Sequence, residues 1–144
     1  AAICQTLGKL LVLVAWLRMQ AGPDAREGSR RGLLVGLGFT VLEIALIWFS
    51  VLVSGIPVSG FAGAWERGIA SVFHIYSGGL LAIFLRSRRR AWLGAVVAVH
   101  FLMDWLAGAN ATLFHWPMYG LELAFATAAA LVWMLFLFAE RRAT

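Results

Sequence analysis

Apolar residues in this chain fall into five long blocks, separated by short stretches rich in charged residues, glycine and proline. The blocks cover residues 1–20, 32–55, 65–85, 91–108 and 119–139. Each block has, or nearly has, the ~20 apolar residues that an α-helix needs to cross the hydrocarbon core of a bilayer. The pattern therefore predicts an all-α fold, a polytopic membrane helix bundle of about five transmembrane helices.

The composition supports a membrane protein. Of the 144 residues, 62% are hydrophobic and 13% are charged, whereas soluble domains have about 25% charged residues. The sequence shows no repeat, low-complexity tract or second domain, which favours a single transmembrane domain over residues 1–144. Because the chain begins at Ala1 inside an apolar block with no basic stretch before it, we expect an upstream part to be missing and do not expect a signal peptide.

The basic residues alternate with the predicted helices. Ten of the twelve lie in three stretches, 18–31, 86–90 and 141–142, while the connections 56–64 and 108–118 contain no Lys or Arg. This alternation is typical of the positive-inside pattern. It predicts the cytoplasmic membrane of a prokaryote, with the N-terminus outside and the C-terminus in the cytoplasm. Despite the net charge of +5 we expect no nucleic-acid partner, because a nucleic-acid surface would not alternate with the helices.

Ionisable residues interrupt several of these apolar blocks. His100 and Asp104 are spaced i, i+4, so they share one face of the fourth predicted helix. Ionisable groups inside a membrane are costly and usually mark a site. Counting ~1.5 Å per residue from the basic stretches places polar side chains of four helices in one layer near mid-bilayer: Gln5, Lys9, Glu43, His74, His100 and Asp104. Arg67, at the start of the third predicted helix, is expected at the outer interface.

The chemistry of this layer has more than one interpretation. Two imidazoles and two carboxylates, those of His74, His100, Glu43 and Asp104, are able to hold a divalent metal or a water. A carboxylate beside a polarised water is a means of hydrolysis, and the substrate inside a bilayer would be a membrane-embedded peptide. Alternatively the layer is structural, with helix–helix hydrogen bonds and an ion pair between Lys9 and Glu43.

Four motifs carry a family resemblance. They are residues 5–9 (QTLGK), residues 36–43 (GLGFTVLE), His74, and residues 100–104 (HFLMD). In order and spacing the chain resembles the superfamily of CAAX-processing and bacteriocin-immunity-type intramembrane proteases, in its PrsW/YhfC-like branch. PrsW-like proteins show EExxK, FxxxE, a histidine on the third helix and HxxxD. The resemblance implies that Glu43, His74, His100 and Asp104 are catalytic or metal-binding residues.

The first motif departs from the family pattern. Where PrsW-like proteins have the paired glutamates that are taken to activate water, this chain has Gln5 and Thr6, followed by Lys9. Neither an amide nor a hydroxyl is an effective base at neutral pH. The resemblance thus implies a degenerate member that binds a transmembrane helix of another membrane protein, or serves as a scaffold or accessory subunit of a larger membrane complex.

Two alternatives stay open. The first is an active glutamate- or metal-dependent intramembrane endopeptidase that uses Glu43 as the base, with His74 and His100 on the water or metal. The second is a small transporter or channel component. A transport path would favour polar residues along whole helices, whereas the charges here form one layer.

Overall fold

The computed structural model describes residues 2–18, 25–54 and 60–143, which are almost entirely helical. Five α-helices follow one another, and a π-helical turn at Asn110–Phe114 continues the fourth. They are α1 (Ala2–Arg18), α2 (Ala25–Ser54), α3 (Gly60–Ser87), α4 (Arg90–Ala109) and α5 (Met118–Ala143). No strand occurs in the described residues, so the prediction of an all-α helical bundle is confirmed.

Within the described residues, four helices contain segments that are long and apolar enough to cross a membrane: Glu27–Ser54, Arg67–Ser87, Arg90–Ala109 and Met118–Arg142. Many large apolar side chains point outward from the bundle, as Leu46 and Leu52 do with 59% and 79% of their surface exposed. Such a surface is stable in lipid rather than in water. The apolar part of α1, Ile3–Trp16, falls short of the ~20 residues that a full crossing requires.

Helices α2 and α3 approach each other at three glycines. A Cβ atom on Gly32 would lie 2.5 Å from the carbonyl oxygen of Gly78, and one on Gly36 would overlap that of His74. Gly36 lies four residues after Gly32 on α2, whereas its partner His74 lies four residues before Gly78 on α3. The two helices are therefore antiparallel. Glycines allow such a close approach of two membrane helices. Gly38 takes no part in it, because nothing lies within 4 Å of its Cβ position.

Helix α3 is the centre of the bundle. Four consecutive residues, Leu80 to Ile83, are buried, so α3 has neighbours on every side. The Phe136 ring of α5 packs against Gly79 of α3. This central position matters for function, because side chains of α3 reach toward each of the other helices.

Candidate functional site

All five helices line one cavity of about 140 Å³. A buried water needs only ~10–15 Å³ of cavity volume, so there is room for several. The structure therefore brings the four predicted site residues together around one space and adds one residue of the first motif. The polar lining of the cavity consists of Gln5, Glu43, Arg67, His74, His100 and Asp104, and the apolar lining of Ala70, Phe73, Met103, Ala107 and Phe125.

Glu43 is held between two groups of α3. The Nε2 atom of His74 lies 3.2 Å from one carboxylate oxygen of Glu43, and Nη1 of Arg67 lies 3.8 Å from the other. Side chains of an α-helix lean toward its N-terminus. Because α2 and α3 are antiparallel, Glu43 and His74 lean toward each other across the glycine contact. Both oxygens of Glu43 thus face a hydrogen-bond donor or a cation.

Lys9 contacts the opposite edge of the His74 ring. Its side chain is fully buried, with 0% of the residue exposed. The Nζ atom lies 2.8 Å from Nδ1 of His74 and 2.9 Å from Oγ of Ser77. The rings of Phe39 and Phe73 stand 5.7 Å and 5.5 Å from Nζ, within cation–π range. Two hydrogen-bond acceptors and two aromatic faces therefore surround the buried ammonium group.

The imidazole of His74 joins the two charged groups. When Lys9 carries its ammonium charge, it has donors only, and Nδ1 of His74 then accepts the bond from it. The proton of a neutral His74 is then on Nε2, which donates to Glu43. The ion pair expected between Lys9 and Glu43 is therefore mediated by the imidazole, because the ring lies between them. This hydrogen-bonded row connects α1, α3 and α2.

His100 is positioned by packing rather than by Asp104. Its Nε2 atom lies 4.0 Å from the Asp104 carboxylate, which is longer than a hydrogen bond. The buried His100 ring stands edge-to-face to Phe73 and His74, with centroid distances of 4.9 Å and 5.6 Å. Among the described residues, Nδ1 of His100 has no hydrogen-bond partner. A ligand or water in the cavity would find this atom available.

The first-motif residues also carry buried polar atoms. Gln5 lines the cavity, and Thr6 is buried beside it on α1 with 2% exposed. Within the described part of the chain, neither Oε1 of Gln5 nor Oγ1 of Thr6 has a hydrogen-bond partner. Buried polar groups are nearly always paired, and exceptions often mark a water or ligand site. These two atoms and Nδ1 of His100 indicate an internal space that takes polar groups.

The predicted metal ligands do not form a metal centre. In residues 2–18, 25–54 and 60–143, no group of three or more His, Cys, Asp or Glu side chains is placed to hold a metal ion. The reason lies in His74. Its Nδ1 lone pair accepts the bond from Lys9 and its Nε2 faces Glu43, so neither nitrogen has a lone pair for a metal. This donor set does not fit a divalent metal.

Lys9, Glu43 and His74, with the side chains that contact them, form a polar cluster. Two of its residues, Arg67 and Ser77, were not predicted from the sequence. Arg67, which was expected at the outer interface, extends to Glu43, and Ser77 receives a hydrogen bond from Lys9. Both share a face of α3 with His74, since they lie seven residues before it and three after it. The helical spacing of Arg67 and Ser77 from His74 was therefore the feature of the sequence that could have identified them.

A second cavity, of about 130 Å³, adjoins the polar cluster. It shares Gln5, Glu43 and His74 with the first cavity. Its other walls include Leu42 and Leu46, whose side chains are more than half exposed on the outer face of α2. The polar cluster therefore lies next to a gap that opens on the apolar outer surface between α1 and α2.

No family model, curated protein or solved structure matches this chain. The relation to PrsW/YhfC-like proteins therefore stays a prediction from the four motifs.

Proposed function

We propose that this protein is a binding subunit of a membrane complex, with a fold related to PrsW/YhfC-like proteases but without hydrolytic activity. The observation that carries this proposal is the environment of Glu43. A general base must bind the water that it deprotonates, and His74 and Arg67 compete with water for the two oxygens of Glu43. The neighbouring Gln5 cannot replace it, because an amide is not a base.

The proposed partner is a transmembrane helix of another protein. The gap between α1 and α2 supports this choice, because Leu42 and Leu46 line it on the lipid-facing side and Glu43 lies behind them. Polar groups hydrogen-bond between helices inside a membrane. Oε1 of Gln5, which has no partner among the described residues, is a suitable acceptor for a donor on that helix.

We also propose the orientation. The positive-inside rule favours arginines of residues 86–90 and 141–142 on the cytoplasmic side of a prokaryotic inner membrane.

One observation favours an alternative, an active glutamate-dependent endopeptidase. Glu43, His74, His100 and Asp104 all line a cavity that has room for water. In that alternative Glu43 removes a proton from the water and later returns it to the leaving amine. The metal-dependent version has less support, because both nitrogens of His74 are already engaged.

Site-specific photo-crosslinking in cells tests the proposed function. A photoreactive residue at Leu46 should capture a partner helix, while the same residue at Leu123 should not. Both side chains are exposed, at 59% and 69%, but Leu123 lies on α5 away from the gap. Mass spectrometry would locate the crosslinked peptide. An intact transmembrane segment captured only from position 46 supports binding without cleavage. Equal capture at both positions would refute the gap as a docking site, and a captured fragment ending inside the membrane would favour the protease.

A further inference from the structure

Most of the arginines lie at one end of the bundle. Gly79 and Tyr76 of α3 contact Phe136 and Trp133 of α5, in the same order along both helices, so α3 and α5 are parallel. The end of α3, the start of α4 and the end of α5 therefore meet, together with the start of the antiparallel α2. The arginines with described side chains at this end are Arg30, Arg31, Arg86, Arg88, Arg89, Arg90, Arg141 and Arg142; Glu27 and Glu140 are the carboxylates among them.

An aromatic pair lies among these arginines. The ring of Trp92, in the first turn of α4, stands edge-to-face to Phe138 of α5 at 6.5 Å between centroids. The guanidinium carbon of Arg142 lies 4.2 Å from the centre of the Phe138 ring. Stacking on the ring restricts this side chain while its N–H groups are left for other acceptors. The Arg142 side chain is thus ordered at the boundary between α4 and α5.

The connection between α3 and α4 adds three more cations at this place. Only Arg88 and Arg89 separate the two helices, and Arg90 begins α4. Arg88 has a positive φ of 56°, and the backbone N–H of Arg89 donates to Oγ of Ser87 at 3.3 Å. The turn is short and hydrogen-bonded, so the three side chains are confined to the region just before Trp92. They are exposed, as a site for a large headgroup requires.

Space for an acyl chain exists below these cations. Below Arg90, α4 exposes Gly94 and Ala98 on its outer face, which is turned away from Trp92, and nothing lies within 4 Å of the Cβ position of Gly94. Phe138 and Met134 of α5 are exposed apolar side chains, at 47% and 59%. Cationic groups therefore lie directly above an apolar surface.

We propose that Arg88, Arg89, Arg90 and Arg142, together with Trp92 and Phe138, form a binding site for an anionic phospholipid. We call this set the basic–aromatic surface. The guanidinium groups bind the headgroup phosphate, since a planar fork of N–H donors matches phosphate oxygens. The two rings mark the interfacial level, and the acyl chains lie along α4 and α5. Clustered arginines beside a membrane-spanning helix attract anionic lipids in this way. The site is independent of the polar cavity and of the function proposed for it.

Native mass spectrometry of the full chain, purified in mild detergent, tests this proposal. The probes are phosphatidylglycerol and phosphatidylcholine with identical acyl chains. We expect more bound phosphatidylglycerol on the wild-type protein, and about fivefold weaker binding for Arg142→Gln. Arg30→Gln is the matched control, because it removes the same charge at the same end from α2, outside the basic–aromatic surface. We expect it to bind as the wild type does.

A second variant separates lipid binding from loss of folding. Phe138→Leu keeps every charge but removes the ring beneath Arg142, so it should also weaken phosphatidylglycerol binding while circular dichroism shows an unchanged helix content. Equal retention of the two lipids would overturn the proposal. So would equal losses in Arg142→Gln and Arg30→Gln, which would show diffuse attraction. Complete displacement by inorganic phosphate would identify free phosphate as the ligand and would also overturn it.

Discussion

Replacing Lys9 by methionine tests the hydrogen-bonded row that joins three helices. Methionine is also long and unbranched, so it keeps most of the packing between Phe39 and Phe73 while removing the ammonium group. The change leaves Nδ1 of His74 and Oγ of Ser77 without the donor that lies 2.8 Å and 2.9 Å from them. The perturbation is therefore confined to the charge and its two hydrogen bonds.

The expected magnitude follows from burial. Lys9 is fully buried, with 0% exposed. A buried acceptor that loses its donor costs ~1–3 kcal/mol, and breaking a buried charge pair by removing one partner costs ~3–5 kcal/mol. The substitution also removes the free-energy cost of burying an ammonium group, which offsets part of the lost stability. We therefore expect Lys9→Met to lower the free energy of unfolding by about 3 kcal/mol.

The assay is a double-mutant cycle with Glu43→Gln. Unfolding of the purified protein in mixed micelles would be followed by circular dichroism as the fraction of denaturing detergent rises. Because His74 connects Lys9 with Glu43, the double variant should be less destabilised than the sum of the single variants, by about 1–2 kcal/mol. Arg30→Met is the control, since an exposed side chain typically changes stability by less than ~0.5 kcal/mol. Additive effects of the two site variants would refute the connection.

Three further predictions concern packing, orientation and activity. Gly36→Ala should destabilise the bundle by about 1–3 kcal/mol, because its Cβ overlaps the carbonyl oxygen of His74. Gly38→Ala, where space is open, should leave stability unchanged or raise it by up to ~1 kcal/mol in the same unfolding assay. A cysteine at position 89 should react with an impermeant thiol reagent only after the cells are opened, and labelling of intact cells would contradict the proposed orientation. The wild-type protein should not cleave a membrane-helix substrate. Gln5→Glu combined with Thr6→Glu should raise cleavage by at least ~10²-fold if the fold is protease-like, and cleavage by the wild type at the rate of an active relative would contradict the degenerate interpretation.

The pattern of apolar and polar residues along the chain was enough to predict the helices. Long apolar blocks have one stable backbone arrangement in a membrane, because every N–H and C=O group must be paired within the segment. The same pattern identified the side chains that meet at the cavity, since ionisable groups in such blocks are few and costly.

Tertiary packing decided how these residues are bonded. Counting residues measures depth along one helix, but it does not say how far that helix is rotated or which neighbour it faces. For that reason Arg67 was expected at the outer interface and not in the site, although two helical turns bring it onto the face of His74 and within 3.8 Å of Glu43. Likewise only the packed bundle inserts the His74 ring between Lys9 and Glu43, which leaves neither imidazole nitrogen with a lone pair for a metal.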